Sequence, residues 1–346
     1  MTVSLNGTSG ITFSDASAQN TAATGFGFKN RIINGAAAID QRNGGVAQTA
    51  VSSGAYICDR FSFGVSQNGK WALQQVAISD LPGFTSAAYA TISTTYTTGS
   101  TDYALIDHKI EGFNVADLAW GTANAKTITL SFWVKTSTTG IYGVTLMNST
   151  PNRAYTTSYT VSASGTWTQI SVTIPGDTTG TWLTNNGIGL WLRFSLGCGS
   201  TYAAGTLNAW GSTVAYQPSG GAIISGNTGG YFEITGVQLE KSPTATSFDY
   251  RPYGTELSLC QRYYENSNGA GGVQASTDAY VVTTSAASSG LYPTYVFKVG
   301  KRISPTMTLT YAGGSGATFV IANGSFYQNT NHSVPSTFGW TATAEL

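Results

Sequence analysis

The chain has 346 residues, with 16 Lys and Arg against 16 Asp and Glu, so it carries no net charge and only 9% of its positions are charged, where roughly a quarter is usual. That balance excludes nucleic-acid binding driven by phosphate neutralisation and membrane targeting by a polybasic segment. A hydrophobic content of 41% with 19 Tyr, 15 Phe and 8 Trp excludes disorder, and the many Thr, Tyr, Val and Gly against few Leu, Glu and Lys place the chain in the all-β class.

The first ten residues have neither a basic n-region nor an apolar h-region, so they do not read as a secretory signal. No apolar run approaches the roughly 18–20 residues of a membrane helix, so no membrane insertion is expected. Residues 1–27 offer one short alternating stretch, Ile11-Thr-Phe-Ser14, and then small residues. A segment with so little to bury is expected to be ordered by a partner chain or a neighbouring copy.

From about 28 to 252 the pattern becomes period-two alternation, the signature of half-buried strands. Asp59–Gly64, Trp71–Val76 and Ala88–Thr95 supply early strands. Thr127–Lys135 sets Ile128, Leu130, Phe132 and Val134 on one face. Trp167–Pro175 sets Ile170, Val172 and Ile174 opposite Gln169, Ser171 and Thr173, and Gly187–Ser195 groups Ile188, Leu190, Leu192 and Phe194. Tyr231–Glu240 alternates as far as Gly236 and then shifts phase, which predicts a bulge there. Turn signals at Ser137–Gly140, Ser162–Gly165, Pro175–Asp177 and Gly226–Gly230 separate the runs. Strands with one buried face each and no helical spacing between them predict antiparallel sheets packed as a sandwich or jelly roll.

One short helix is predicted over 255–265, with Thr255 as N-cap and Leu259, Arg262 and Tyr263 at helical spacing. It opens a smaller C-terminal β domain, 253–346, with strands at Ala279–Thr284, Thr294–Val299, Met307–Tyr311 and Ala317–Ala322. Cys58, Cys198 and Cys260 are odd in number and widely spaced, so they read as buried free thiols of a chain made in a reducing cytoplasm.

Three segments near the start, Asn30-Arg-Ile-Ile-Asn-Gly35, Ile39-Asp-Gln-Arg42 and Cys58-Asp-Arg-Phe61, resemble the opening of bacteriophage fibre and virion-appendage proteins that carry a jelly roll similar to carbohydrate-binding modules. Phe232-Glu-Ile-Thr-Gly-Val-Gln-Leu-Glu-Lys241, leading to Phe248-Asp-Tyr-Arg-Pro-Tyr253, and then Glu256-Leu-Ser-Leu-Cys-Gln-Arg-Tyr-Tyr264 are similar to the close of the same domain. The leader Gly10–Asn20 looks like the attachment segment of such fibres, and Lys301–Thr306 and Trp340–Leu346 look like their C-terminal domains. In this order the matches span nearly the whole chain. The resemblance implies a homotrimeric structural protein of the virion, docked to another virion protein through residues 1–27 and displayed on the particle exterior. It also implies contact with host surface polysaccharide, but no ligand-binding residue carries over by motif.

The residues themselves argue against catalysis. Glycoside hydrolysis needs two carboxylates about 5–10 Å apart, yet only Asp177 appears between residues 118 and 232. Asp102, Asp107, Glu111 and Asp117 fall within one stretch that reads as a solvated loop. A Ca²⁺ site built from their oxygens is the alternative, and a catalytic pair a more remote one. His108 and His332 have no nucleophile elbow nearby, and no Cys/His pair has zinc-ligand spacing. Sugar binding remains, because flat aromatic faces pack on sugar C–H faces while nearby polar groups bond the hydroxyls. Trp133 and Trp191 point away from the apolar faces of their strands, with Lys135 and Arg193 two residues on. Each needs a cover: another subunit or domain, a loop of the same domain, or a glycan. Trp120, Trp182 and Trp210 fall in predicted loops, where they either pack or bind sugar. The expected function is thus a non-enzymatic fibre component contacting glycans. The alternatives are a ligand-free decoration or collar protein and, more remotely, a glycan depolymerase.

Overall fold

The alternating runs fold as strands whose apolar residues meet between two antiparallel sheets. The computed structural model describes residues 28–267, 296–308, 325 and 340–346 in full. It describes by backbone alone the rest of the strands at Ser4–Asn6, Gly10–Thr12, Ala18–Gln19, Tyr280–Val282, Thr294–Val296, Thr306–Ala312, Phe319–Ile321, Ser325–Gln328 and Ser336–Thr343. Along the sandwich run β1 (Ala55–Cys58), β2 (Phe61–Val65), β3 (Trp71–Ala77), β4 (Ser86–Ile92), β5 (Tyr103–Glu111) and β6 (Ile128–Thr136). β7 (Gly140–Met147), β8 (Ala154–Val161), β9 (Thr168–Ile174), β10 (Ile188–Cys198) and β11 (Tyr231–Glu240) come next, and then α1 (Tyr253–Gln261).

One sheet has the order β8–β7–β10–β5–β2–β1, extended beyond β8 by the short strand Trp210–Gly211; the other has the order β9–β6–β11–β4–β3. The chain changes sheet at almost every step from β5 to β11, which gives the jelly-roll sandwich. Between the sheets Phe132 packs edge-on against Phe194 at 5.0 Å and Tyr159 at 5.1 Å, with Trp71 tilted against Phe63 at 5.2 Å. The bulge falls where the phase shift places it. The register of β11 against β6 slips between Thr235 and Gln238, Gly236 has φ +61°, and a Cβ there would lie 2.7 Å from the Phe84 ring.

Two expectations are corrected. The helix begins at Tyr253, with Pro252 rather than Thr255 at the N-cap and no side-chain cap. Its start is fixed by tertiary bonds instead: Glu256 accepts from the Asn34 backbone N–H and from Arg251. The stretch 103–111 is not a loop but β5, a central strand with a mostly buried sequence. In the C-terminal region the strands Tyr280–Val282, Thr294–Val296, Thr306–Ala312 and Phe319–Ile321 fall on the four predicted runs. Ser336–Thr343 pairs with Tyr264–Asn266, directly after the helix. The three cysteines are buried and free.

The segments 30–61 and 251–266 converge with the end of the chain in one buried polar clasp. The Asn34 side chain donates to the carbonyls of Ile39 and Asp59 at 2.8 Å each, and Arg251 donates to Ile32 and Asn30 carbonyls. Gln41 donates to Asp59 and to the Tyr264 carbonyl, while Asn266 donates to the Gln41 carbonyl. Arg42 and Arg60 both pair with Glu345 and lie on the rings of Tyr264 and Tyr263, 3.7 and 3.6 Å from the centroids.

Two groups in the clasp have opposed proton linkage. Burial lifts the Asp59 carboxyl to about 7, outweighing the Arg42 charge and the Gln41 bonds. Burial pushes His108 down to about 3, with Arg60 adding to the effect, while its Nε2 contacts the Ile33 carbonyl at 2.9 Å. Asp59 is raised, so its contribution is present below its ordinary value and is lost as pH rises toward 7. His108 is depressed, so its contribution is present above its ordinary value and is lost as pH falls toward 3. Across roughly pH 4–6.5 the two slopes, each at most about 1.4 kcal/mol per pH unit, oppose one another. Asp59→Asn is expected to leave a protein that loses stability on acidification across this window, and His108→Asn one that gains it. Urea unfolding at several pH values reads both, and parallel profiles for the two variants would refute the assignment.

Candidate functional site

The five-stranded sheet buries Leu130, Phe132, Val134, Phe232 and Ile234, so the alternate residues of the same strands face outward. Register then sets Lys135 of β6, Glu233 of β11, Tyr89 of β4 and Gln74 of β3 in one row across that outer face. Trp167 continues the row beyond Lys135, because its neighbour Thr168 pairs with Val134. One outward row further, Tyr231 lies opposite Thr91 and Ala72.

The side chains in this row engage one another. Lys135 Nζ lies 3.0 Å from Asp80 Oδ2, 3.1 Å from Glu233 Oε2 and 5.0 Å from the centre of the Trp167 ring. Trp167 Nε1 donates to Asp80 Oδ1 at 2.9 Å, which fastens the β3–β4 loop over the sheet. Tyr89 and Tyr231 lie with ring centres 5.8 Å apart and planes inclined by 30°. All three rings are half-buried, and among the described residues no fourth aromatic ring packs on Tyr89 or Tyr231. Gln74 donates to the Gly45 carbonyl, and Tyr231 reaches toward Gly165 of the β8–β9 turn. Bonds from Trp167 and Lys135 hold the exposed Asp80 carboxyl below its ordinary range. Burial raises the Glu233 carboxyl, with Lys135 pulling the other way. The result is an aromatic strip with carboxylate acceptors and an ammonium donor set among the rings.

The six residues singled out for sugar contact lie elsewhere or are covered. Trp133 does face outward on β6, one row from Lys135, but it closes over Gly236 beside Phe84, and Phe84 in turn packs on Phe248 and Tyr250. Its cover is a loop of its own domain. Trp191 is on the outer face of the seven-stranded sheet, flanked by Arg193 at 4.2 Å and Lys109 at 4.8 Å. Arg193 is buried, bound by both oxygens of Asp107 and by the Tyr216 hydroxyl. Trp120, Trp182 and Trp210 form one cluster with centroids 4.8–5.3 Å apart, and their indole N–H groups donate to the Lys126, Thr179 and Pro175 carbonyls. Their faces serve one another.

The four acids do not converge as a calcium site would require. Asp102 accepts from Ser66, Gln67 and the Gly99 N–H, and Asp107 holds Arg193. Glu111 holds Arg262 and Tyr263, while Asp117 holds Arg31 and Lys241. Among the described residues no group of three or more Asp, Glu, His or Cys is placed to hold a metal ion. His332 lies outside the described residues. A cleft of about 440 Å³ between Gly99, Cys198 and Gln217 has no aromatic or charged side chain in its lining.

Trp167, Tyr89, Tyr231, Glu233 and Asp80 were not singled out by sequence. For Tyr231 and Glu233 the signal was present, since both alternate with Phe232 and Ile234 in a strongly periodic run. Asp80 belongs to a loop, and only the fold brings it to Lys135.

No family model and no curated protein matches the sequence. Among solved structures, the chain is similar over 61% of its length to the enzymatically active domain of tailspike protein 4 of bacteriophage CBA120, at 10% identity and a TM-score of 0.33, and spans 21% of that chain. It is similar over 56% of its length to a family 11 carbohydrate-binding module of a cellulosomal cellulase of Clostridium thermocellum, at 13% identity and a TM-score of 0.30, covering 97% of that chain. A xylan-binding CBM22-2 domain from Paenibacillus barcinonensis matches 52% of this chain and 91% of its own, at 14% identity and a TM-score of 0.28.

Proposed function

We propose that the outer face of the five-stranded sheet binds glycan, and that the protein is a non-enzymatic component of a phage virion that contacts host polysaccharide through this face. The observation that carries the binding half is the row itself: Trp167, Tyr89 and Tyr231 set around Lys135, Glu233 and Asp80 on the outer face of the sheet. Rings of this kind pack on sugar C–H faces, and the exposed Asp80 carboxylate beside them accepts hydrogen bonds from hydroxyls. The engagement of both acids with one lysine favours binding over hydrolysis, since a hydrolase needs one acid to carry a transferable proton and the other to stand free. Replacing Tyr231 and Tyr89 by alanine is expected to weaken binding by at least about tenfold, or ~1.4 kcal/mol. Affinity electrophoresis through immobilised polysaccharides measures this, and unchanged migration of both variants would sink the assignment. The virion half, with a homotrimer docked through residues 1–27, rests on the motifs at 30–61 and 232–264. Light scattering on the purified chain is expected to give the mass of three copies, and a monomer would count against it.

A further inference from the structure

The charges in the row also bear on which glycans it takes. Lys135 is the cation of the row, and its ammonium already faces two carboxylates at 3.0 and 3.1 Å. With Asp80 and Glu233 both ionised the group carries one net negative charge. With a proton on Glu233 it is neutral. In neither state is a cation left over to pair an anionic sugar. The next outward cation on this face is Lys70, which precedes β3 by one residue and stands three strands and two outward rows from Lys135. At about 4.8 Å per strand and 3.3 Å per residue that is roughly 20 Å away, beyond the ~10 Å over which exposed charges act at 0.1 M salt. Indole Nε1 of Trp167 is likewise occupied by Asp80. Glu233 is buried beneath the row, so what the strip presents to a ligand is ring surface and the exposed Asp80 carboxylate, which suit hydroxyl donors and repel carboxylates and sulfates.

We infer that this face selects uncharged glycans and rejects acidic ones, through the Asp80–Lys135–Glu233 group. The inference rests on the glycan-binding reading and deepens it. A panel of neutral polysaccharides (β-glucan, xylan, mannan, galactan) and acidic ones (polygalacturonate, alginate, polysialic acid) tests both at once. The wild-type chain is expected to be retarded by members of the neutral set only. The double variant Asp80→Asn/Glu233→Gln frees Lys135 and is expected to gain at least about tenfold in affinity for acidic members, a gain that shrinks at 0.5 M salt. Retention of an acidic polysaccharide as strong as that of any neutral one, and sensitive to Tyr231→Ala, would overturn the charge selectivity while leaving the site in place. Binding that Tyr231→Ala does not alter, or no retention by any member, would overturn the site and the selectivity together.

Discussion

Replacing Asp107 with alanine is expected to destabilise the sandwich by about 3–5 kcal/mol, the range seen when one partner of a buried ion pair is removed. Arg193 is buried between Trp191 and Tyr216, and its guanidinium makes two bonds of 2.8 and 2.9 Å to the Asp107 carboxylate. The Tyr216 hydroxyl accepts a third, at 3.0 Å, and cannot neutralise a charge. Gly64 lies directly against the pair: a Cβ there would come within 3.0 Å of Asp107 and 3.3 Å of Arg193. Alanine leaves a desolvated cation in the middle of the seven-stranded sheet, a large loss against a typical total of about 5–15 kcal/mol. The pair itself need not be stabilising relative to apolar residues. Asp107→Leu combined with Arg193→Met is expected to recover most of the loss. Denaturant midpoints for the single and double variants decide it. If the double variant is as unstable as Asp107→Ala, the cost lies in packing rather than in the orphaned charge.

The same residues show where sequence reading reaches its limit here. Period-two alternation placed β6, β9, β10 and β11 closely, because each has one apolar and one polar face and the pattern needs no knowledge of neighbours. β5 defeated it. Tyr103-Ala-Leu-Ile-Asp-His-Lys-Ile-Glu111 sets three ionisable residues in sequence, which reads as solvent. In the fold Arg193 lies across the strand from Asp107, the Ile33 carbonyl meets His108, and Arg262 reaches Glu111. Each partner is more than 70 residues away, so no local window contains the information that makes the strand tolerable. The tryptophans mark the complementary limit. Alternation rightly put Trp133 and Trp191 outside their sheets, but what covers an outward ring is decided by loops, here Phe84 for one and Arg193 with Lys109 for the other. The row that stays open is marked by tyrosines that composition does not distinguish from the other seventeen.

Glu345→Ala is the second change expected to be severe, at about 3–5 kcal/mol by the same reasoning. This carboxylate neutralises both Arg42 and Arg60, and the side chains of Arg60 and Glu345 are 2% and 8% exposed. Among the described residues, Arg60 keeps the Lys109 carbonyl and the Tyr263 ring once the carboxylate is gone. The loss should be local before it is global. Amide exchange is expected to accelerate over 30–42 and 253–266, the segments that meet at the clasp, while β6 and β11 stay protected until the whole sandwich opens. Uniform acceleration would mean instead that the clasp and the sandwich open as one unit. The motifs that resemble phage appendage proteins are the clasp: Asn30, Asn34, Gln41, Arg42, Asp59 and Arg60 on one side, Arg251, Glu256, Arg262, Tyr263 and Tyr264 on the other. None of them lies in the aromatic row. The clasp residues therefore describe how the sandwich is fastened to the helix and the end of the chain, and of the aromatic row the matched segments take in Glu233 alone.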